Sequence, residues 1–359
     1  MSASAQRITA LDFARALAIF GMIIVNYKLA MEADNGGAAW LIAVAGLFEG
    51  RAAALFVILA GIGVSLMTSK AYLSCNKDLI RQNRNSLLKR AGFLLLAGAG
   101  LLLMGWNADI LHYYALFLLV ASTMITLSDK KILLLFVGLL VTSQFFLIVF
   151  DYSLGWDSRF HVYTDFWTLA GFSRNLLLNG FHPFFPWFCF FLIGMWTGRK
   201  HWLGKENRAK LLIYALLGTV FFETVSYLLI KWSYPFLDLA SASYLFTTKP
   251  MPPTMLYLLS ATCLALAVIA ISLYIVDICG NFLVVRMLIN TGQLSLTHYV
   301  GHIIVGLGFL ELIRFLENGN LSFSIAYGCG YFILAVLFSY VWRKWMKRGP
   351  IESVMRRLS

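Results

Sequence analysis

The stretch DILHYYALF, residues 109–117, sets an acid, a histidine and two tyrosines directly ahead of an apolar run. Asp109 and His112 are the residues there whose types could do chemistry. The pair is either the wet rim of a buried helix, with Asp109 well placed for the helix dipole, or part of a proton-transfer site. Other ionisable groups stand at the ends of apolar runs: Lys28 beside Asn26 in NYK, Glu49 and Arg51 in FEGR, and His182 in NGFHPFFPW. Read singly, each is a polar rim that solvates a helix end. Glu223 and His302 lie too deep in their runs for that reading. A buried acid and a buried imidazole need partners, and Lys28, Arg51 and His112 are candidates to supply them. At the opposite helix ends, TALDFAR places Thr9 and Asp12 at capping-box spacing and puts Asp12 and Arg15 on one face. Asp12 and Arg15 read as an anchored helix start or as a holder of a cofactor phosphate. His298 reads as a histidine bonded to a neighbouring helix. The chain has no P-loop, no nucleotide-binding glycine fingerprint, no HExxH and no GxSxG. Covalent catalysis by serine or cysteine therefore has no support, and no metal site is expected.

The elements that position these groups follow from composition. The 359 residues are 60% hydrophobic and 13% charged, with a mean hydropathy of +0.76. A soluble domain could not bury so much apolar surface. Ten apolar segments recur, near 12–30, 51–68, 87–105, 109–127, 131–150, 181–199, 210–231, 254–277, 292–313 and 323–342. Each is long enough to cross a hydrocarbon layer of about 30 Å, and in lipid such segments must be helices. The expected fold is all-α: one multi-pass membrane domain over residues 1–359, with about ten transmembrane helices.

With both termini cytoplasmic, 21 of the 29 Lys and Arg residues fall in cytoplasmic segments and 6 in the opposite loops. Arg7 and the basic run between Lys70 and Arg90 belong to the first group. This positive-inside bias accounts for the +12 net charge, and no basic–aromatic face for nucleic acid is present. Asp12 and Lys28 argue against a cleaved leader in the first segment. The five cysteines are odd in number and form no disulfide framework. The loop 151–180, with Trp156, Phe160, Tyr163, Phe166, Trp167 and Phe172, reads as a lid half-inserted at the membrane interface. The basic tail 342–359 places Ile351, Val354, Met355 and Leu358 on one stripe, a short helix lying on the cytoplasmic leaflet. Glycines in GFLLLAGAG, GIG, GLG and GCG read as sites of close helix packing.

Several stretches together, RITALDFARALAIFGMIIVNY, FEGRAAALFVILAGIGVSLM, DILHYYALF, GFHPFFPWFCFFLIGMWTGR, GQLSLTHYVGHIIVG and GPIESVMRRL, resemble the YeiB-like bacterial membrane proteins. That family is related to heparan-α-glucosaminide N-acetyltransferase within the transmembrane acyltransferases. The resemblance runs from the first helix to the tail. It implies an enzyme of the bacterial inner membrane that moves an acyl group from acyl-CoA, expected to be acetyl-CoA, to an amine or hydroxyl of a sugar-type acceptor. Asn26 matches the asparagine of the family's active site, and His302 matches its late-helix histidine. The acetyltransferase also has a catalytic histidine shortly after that asparagine, whereas this chain has no histidine before His112.

The expected catalytic set is then His302, Asn26 and His112, with His302 the preferred base and the Asn26 amide an oxyanion donor. Lys28, Glu49, Arg51, Asp109, His182 and Glu223 are expected to face the substrate, and Asp12 and Arg15 the cofactor. The alternative is a secondary transporter whose Glu223, His302 and Lys28 carry protons or a small anionic substrate. The expected partners are the lipid bilayer and a small-molecule acceptor. A homodimer stays open.

Overall fold

A computed structural model describes residues 8–34 and 37–358. Arg7 of the charge pattern lies outside the described residues. Sixteen α-helices follow in order: α1 (Thr9–Ala30), α2 (Ala39–Gly46), α3 (Arg51–Ser74), α4 (Lys77–Leu103), α5 (Leu111–Thr123), α6 (Asp129–Val149), α7 (Leu169–Arg174), α8 (Phe184–Arg199), α9 (Arg208–Ser233), α10 (Leu239–Phe246), α11 (Met255–Cys279), α12 (Leu283–Gln293), α13 (Ser295–Gly301), α14 (Gly308–Leu312), α15 (Leu321–Trp345) and α16 (Pro350–Leu358). Two π-helical turns interrupt the series, Asn175–Asn179 after α7 and His302–Leu307 after α13. Among the described residues there is no strand, only an isolated antiparallel bridge between Trp156 and Tyr163. The all-α expectation holds.

Seven helical stretches among the described residues are long and apolar enough to cross a membrane: α1, the Ala39–Ser74 run, α4, α6, α9, α11 and α15. Leu169–Asn179 with Phe184–Arg199, bent by 44°, makes an eighth. The other two apolar segments take different forms. The segment 109–127 is the 13-residue α5, and 292–313 is a run of short helices broken at Leu294 and at the second π turn. On α6, the side chains of Val137, Val141, Phe145 and Ile148 all point outward and are more than half exposed. In a chain this apolar, such faces suit lipid.

Side-chain caps start some of the helices. Asn76 caps α4 by accepting from the N–H groups of Asp78 and Leu79 at 2.9 and 3.1 Å. Thr168, Asp238 and Asn320 cap α7, α10 and α15 in the same way. Thr9 does not act as a cap: it is the first helical residue of α1, flanked by Ile8, which supplies no side-chain bond. The capping box fails because Asp12 is engaged elsewhere. Arg15 holds its carboxylate at 2.5 Å, and Gln293 donates to it at 3.3 Å.

The chain divides into two compact units. The first comprises the described part of residues 1–56 with 208–212 and 265–354. In it α1 packs along α12 and α15, and Phe13, Val285 and Ile289 form a small core. The approach is closest at Gly292, where any Cβ would collide with the carbonyl oxygen of Asp12.

The second unit comprises residues 57–207 and 213–264 with the described part of 355–359. In it α4 pairs with α5 and α6 with α8. Helices α3 and α8 touch through backbone, since a Cβ on Gly61 would collide with the Phe191 carbonyl and one on Gly194 with that of Ile58. This is the small-residue packing expected of GIG.

The aromatics of the second unit's long loop pack largely on one another. Trp156, Tyr163 and Phe166 are buried with Leu102 in a core of their own, and of these aromatics Trp167 stands out at 69% exposure. Trp156 donates to the Asn179 carbonyl at 2.6 Å and Tyr163 to its side-chain oxygen at 2.7 Å. Arg174 ties the loop further through Tyr163 (2.8 Å) and Asp165 (2.6 Å). Burial alone would raise the Asp157 carboxyl, but the N–H groups of Val162 and His161 outweigh it and hold that carboxyl below its usual range.

Candidate functional site

The second unit builds its site on the first turn of α5. Asp109 precedes the helix and is fully buried; His112 is 2% exposed. One carboxylate oxygen of Asp109 accepts from His112 twice, from the backbone N–H at 3.1 Å and from Nδ1 at 2.9 Å. Because a carboxylate only accepts, Nδ1 carries the proton and the lone pair of the neutral ring lies on Nε2. His112 Nε2 is buried and has no hydrogen-bond partner among the described residues. Leaving such an atom unsatisfied costs about 1–3 kcal/mol, and it is one of several buried side-chain atoms in that state, His182 Nδ1 among them.

Gly98 of α4 makes the pair sterically possible. A Cβ there would stand 2.6 Å from the Asp109 carboxylate and 2.7 Å from the His112 nitrogen. Next to the dyad, the Tyr113 ring lies 3.9 Å from that of His112 and 5.8 Å from that of His182. The Tyr113 hydroxyl donates to Asn175, the first residue of the π turn. The His182 ring meets Trp187 edge-on at 4.5 Å, and its Nδ1 is likewise buried with no hydrogen-bond partner among the described residues. Sequence reading missed Tyr113, Asn175 and Gly98. The glycines of LAGAG carried a packing signal, with nothing to say what would pack there.

The first unit holds Asn26 and His302 together. The Asn26 side-chain nitrogen lies 2.8 Å from His302 Nε2, and His302 Nδ1 lies 3.3 Å from the His298 carbonyl. The carbonyl can only accept, so Nδ1 donates and Nε2 accepts from the Asn26 amide. Both ring nitrogens are thereby engaged. The Tyr27 hydroxyl donates to the His302 carbonyl at 3.1 Å, one of the groups that the π turn displaces from regular helical pairing. His298 bonds to Ser339 of α15 at 2.6 Å, as a histidine tied to a neighbouring helix should.

The remaining predicted residues separate. Lys28 is nearly buried and pinned between Glu49 at 2.5 Å and Asp34 at 2.9 Å. Arg51 begins α3 two residues beyond Glu49. Glu223 of α9 receives hydrogen bonds from Thr248 (2.8 Å) and Ser260 (2.6 Å). Those hydroxyls, and Asn26 for His302, are the partners that sequence reading sought in Lys28, Arg51 and His112. Arg15 is committed to Asp12, so the phosphate-holding role gains no geometric support. No group of three or more His, Cys, Asp or Glu among the described residues could hold a metal ion.

Two families match the sequence. Heparan-alpha-glucosaminide N-acetyltransferase, catalytic, matches residues 7–225. A family described as protein of unknown function (DUF418), to which the YeiB-like proteins belong, matches residues 197–359. The catalytic match includes Asn26, Asp109, His112, His182 and Glu223, whereas His302 lies only within the second match. No curated protein matches the chain significantly. The catalytic match covers well over half of the sequence, and the chain belongs to the heparan-α-glucosaminide N-acetyltransferase catalytic family.

Proposed function

We propose that the protein is a multi-pass acyltransferase of the bacterial inner membrane, both termini cytoplasmic. It moves an acyl group from acyl-CoA, ordinarily acetyl-CoA, to an amine or hydroxyl of a small sugar-type acceptor. One observation carries the reading: within the region matched by the catalytic family, a buried imidazole is oriented by a carboxylate and keeps its other nitrogen unengaged.

The residues fit such a donor. When bound, the thioester supplies an acyl carbon open to attack. Asp109 holds the proton on Nδ1, which leaves the Nε2 lone pair of His112 to take the proton from the attacking amine or hydroxyl. The same Nε2 then returns that proton to the departing sulfur. The buried surroundings of His112 exclude water, which would otherwise compete with the acceptor. In the first unit, Asn26 gives an amide hydrogen to His302. His302, engaged at both nitrogens, orients that amide instead of acting as a base.

The transporter alternative draws on Glu223, a carboxylate lodged in apolar α9 among hydroxyls. Release of free CoA from acetyl-CoA by the purified, detergent-solubilised protein, with glucosamine-type acceptors present, separates the two. The enzyme reading predicts acceptor-dependent release that His112→Ala abolishes. Uptake of solute into proteoliposomes, with no release of CoA under any condition, would replace it with the transporter.

A further inference from the structure

The stretch that carries His302 is interrupted just before it. Helix α12 ends at Gln293, Leu294 leaves helical geometry at φ −107° and ψ 25°, and α13 starts at Ser295. A helix start inside an apolar segment exposes backbone N–H groups that lipid cannot satisfy. No side chain next to α13 caps it. The carboxylate of Glu352, 55 or 56 residues further along the chain, does so instead. It accepts from the N–H groups of Leu296 (2.8 Å) and Thr297 (3.0 Å) on one oxygen and from the Thr297 hydroxyl (2.5 Å) on the other. The Thr297 hydroxyl oxygen in turn accepts from the N–H of Ile351 at 3.2 Å. The fit is close, since a Cβ on Gly349 would meet both the Glu352 carboxylate and the Thr297 hydroxyl. A negative charge on the first turn also suits the dipole of the helix it caps.

We infer that Glu352 is a positioning residue: delivered by the C-terminal helix α16, it caps α13 and fixes the register at which His302 meets Asn26. His302 lies five residues beyond Thr297 on the same short segment, and Asn26 reaches its ring with one hydrogen bond. A shift of this segment along α1 would break that bond. The consequence for turnover rests on the acyltransferase reading, while the consequence for the His302 ring does not.

The test uses the full chain in detergent micelles, with ¹⁵N-labelled histidine and backbone amides, comparing wild type with Glu352→Ala and Glu352→Gln. In Glu352→Ala, loss of the cap should speed exchange of the Leu296 and Thr297 amide protons about fivefold. The His302 ring nitrogens should shift as the Asn26 bond loosens, and kcat should fall about tenfold with KM unchanged. Glu352→Gln keeps an acceptor oxygen for both amides and should restore the ring signals and most of the turnover. His302 ring signals that stay at their wild-type positions in Glu352→Ala while the two amides exchange faster would overturn the inference, leaving a cap with no positioning role. If Glu352→Ala does not fold, Thr297→Val, which removes the bond to the second oxygen, should shift the same ring signals less; no shift again overturns it. If wild type releases no CoA, the acyltransferase reading fails and the ring signals alone decide.

Discussion

His302 and His112 are both buried, and each has a π-helical turn close by: His302 opens one, and the neighbour of His112, Tyr113, bonds to the other. They differ in how their nitrogens are used. His302 spends Nδ1 on a backbone carbonyl and Nε2 on Asn26. His112 spends Nδ1 on Asp109 and leaves Nε2 without a partner among the described residues. A histidine with two bonds is a structural crosslink, and one with a single oriented bond is available to take a proton. The difference therefore comes from hydrogen-bond accounting, since burial and residue type are shared. On that accounting His112 is the proposed base, in place of the His302 preferred from family resemblance.

The comparison is most exposed to substitution at the second unit's site. His112→Ala should lower kcat by 10²- to 10⁴-fold, the usual range for loss of a general base. Asp109→Asn keeps the shape but no longer fixes the tautomer, and turnover should fall about 100-fold or more. Stopped-flow measurement of CoA release reads both, with detergent melting curves to show that the variants fold. Asn26→Ala sharpens the contrast from the other side. It should free His302 Nε2, which ¹⁵N spectra would report as a changed ring signal.

Gly98→Ala is expected to act more gently, through packing. The added methyl meets the Asp109 carboxylate and the His112 backbone, and overpacking of this kind costs about 1–3 kcal/mol. A lower Tm together with reduced turnover would place Gly98 under the dyad; an unchanged Tm with full turnover would mean that α4 and α5 do not approach this closely. The smallest effect is expected at the ion cluster. Glu49 and Asp34 are partly exposed, so Asp34→Asn should change stability by no more than about 1 kcal/mol. A larger loss in melting experiments would show that the Lys28 charge depends on Asp34 and that Glu49 alone does not hold it.

What was legible in the sequence was what neighbouring residues decide. The long apolar runs announced helices because lipid admits no other local solution. Asp109 and His112 stood out singly as an acid and an imidazole at a helix start, but that the one orients the other was not read. The pairing of Asn26 with His302 spans 276 residues, and only family resemblance brought both to attention. Glu352 was read simply as part of an amphipathic tail, since nothing local to it points to Thr297. The break at Leu294 and the two π turns were hidden for the same reason: a tertiary partner satisfies the displaced backbone groups, and that partner lies elsewhere in the chain. Thr9 and Asp12 had the spacing of a capping box, but Arg15 and Gln293 compete for the same carboxylate.

A side-by-side measurement of acetyl-CoA turnover by His112→Asn and His302→Asn tests the central claim most directly, with both proteins shown to be folded. His112→Asn should lose at least about 100-fold in kcat, the scale of a missing general base, while His302→Asn should lose no more than about tenfold, the scale of lost positioning. Full loss in His302→Asn with near-normal turnover in His112→Asn would contradict it, and would return the role of base to the first unit.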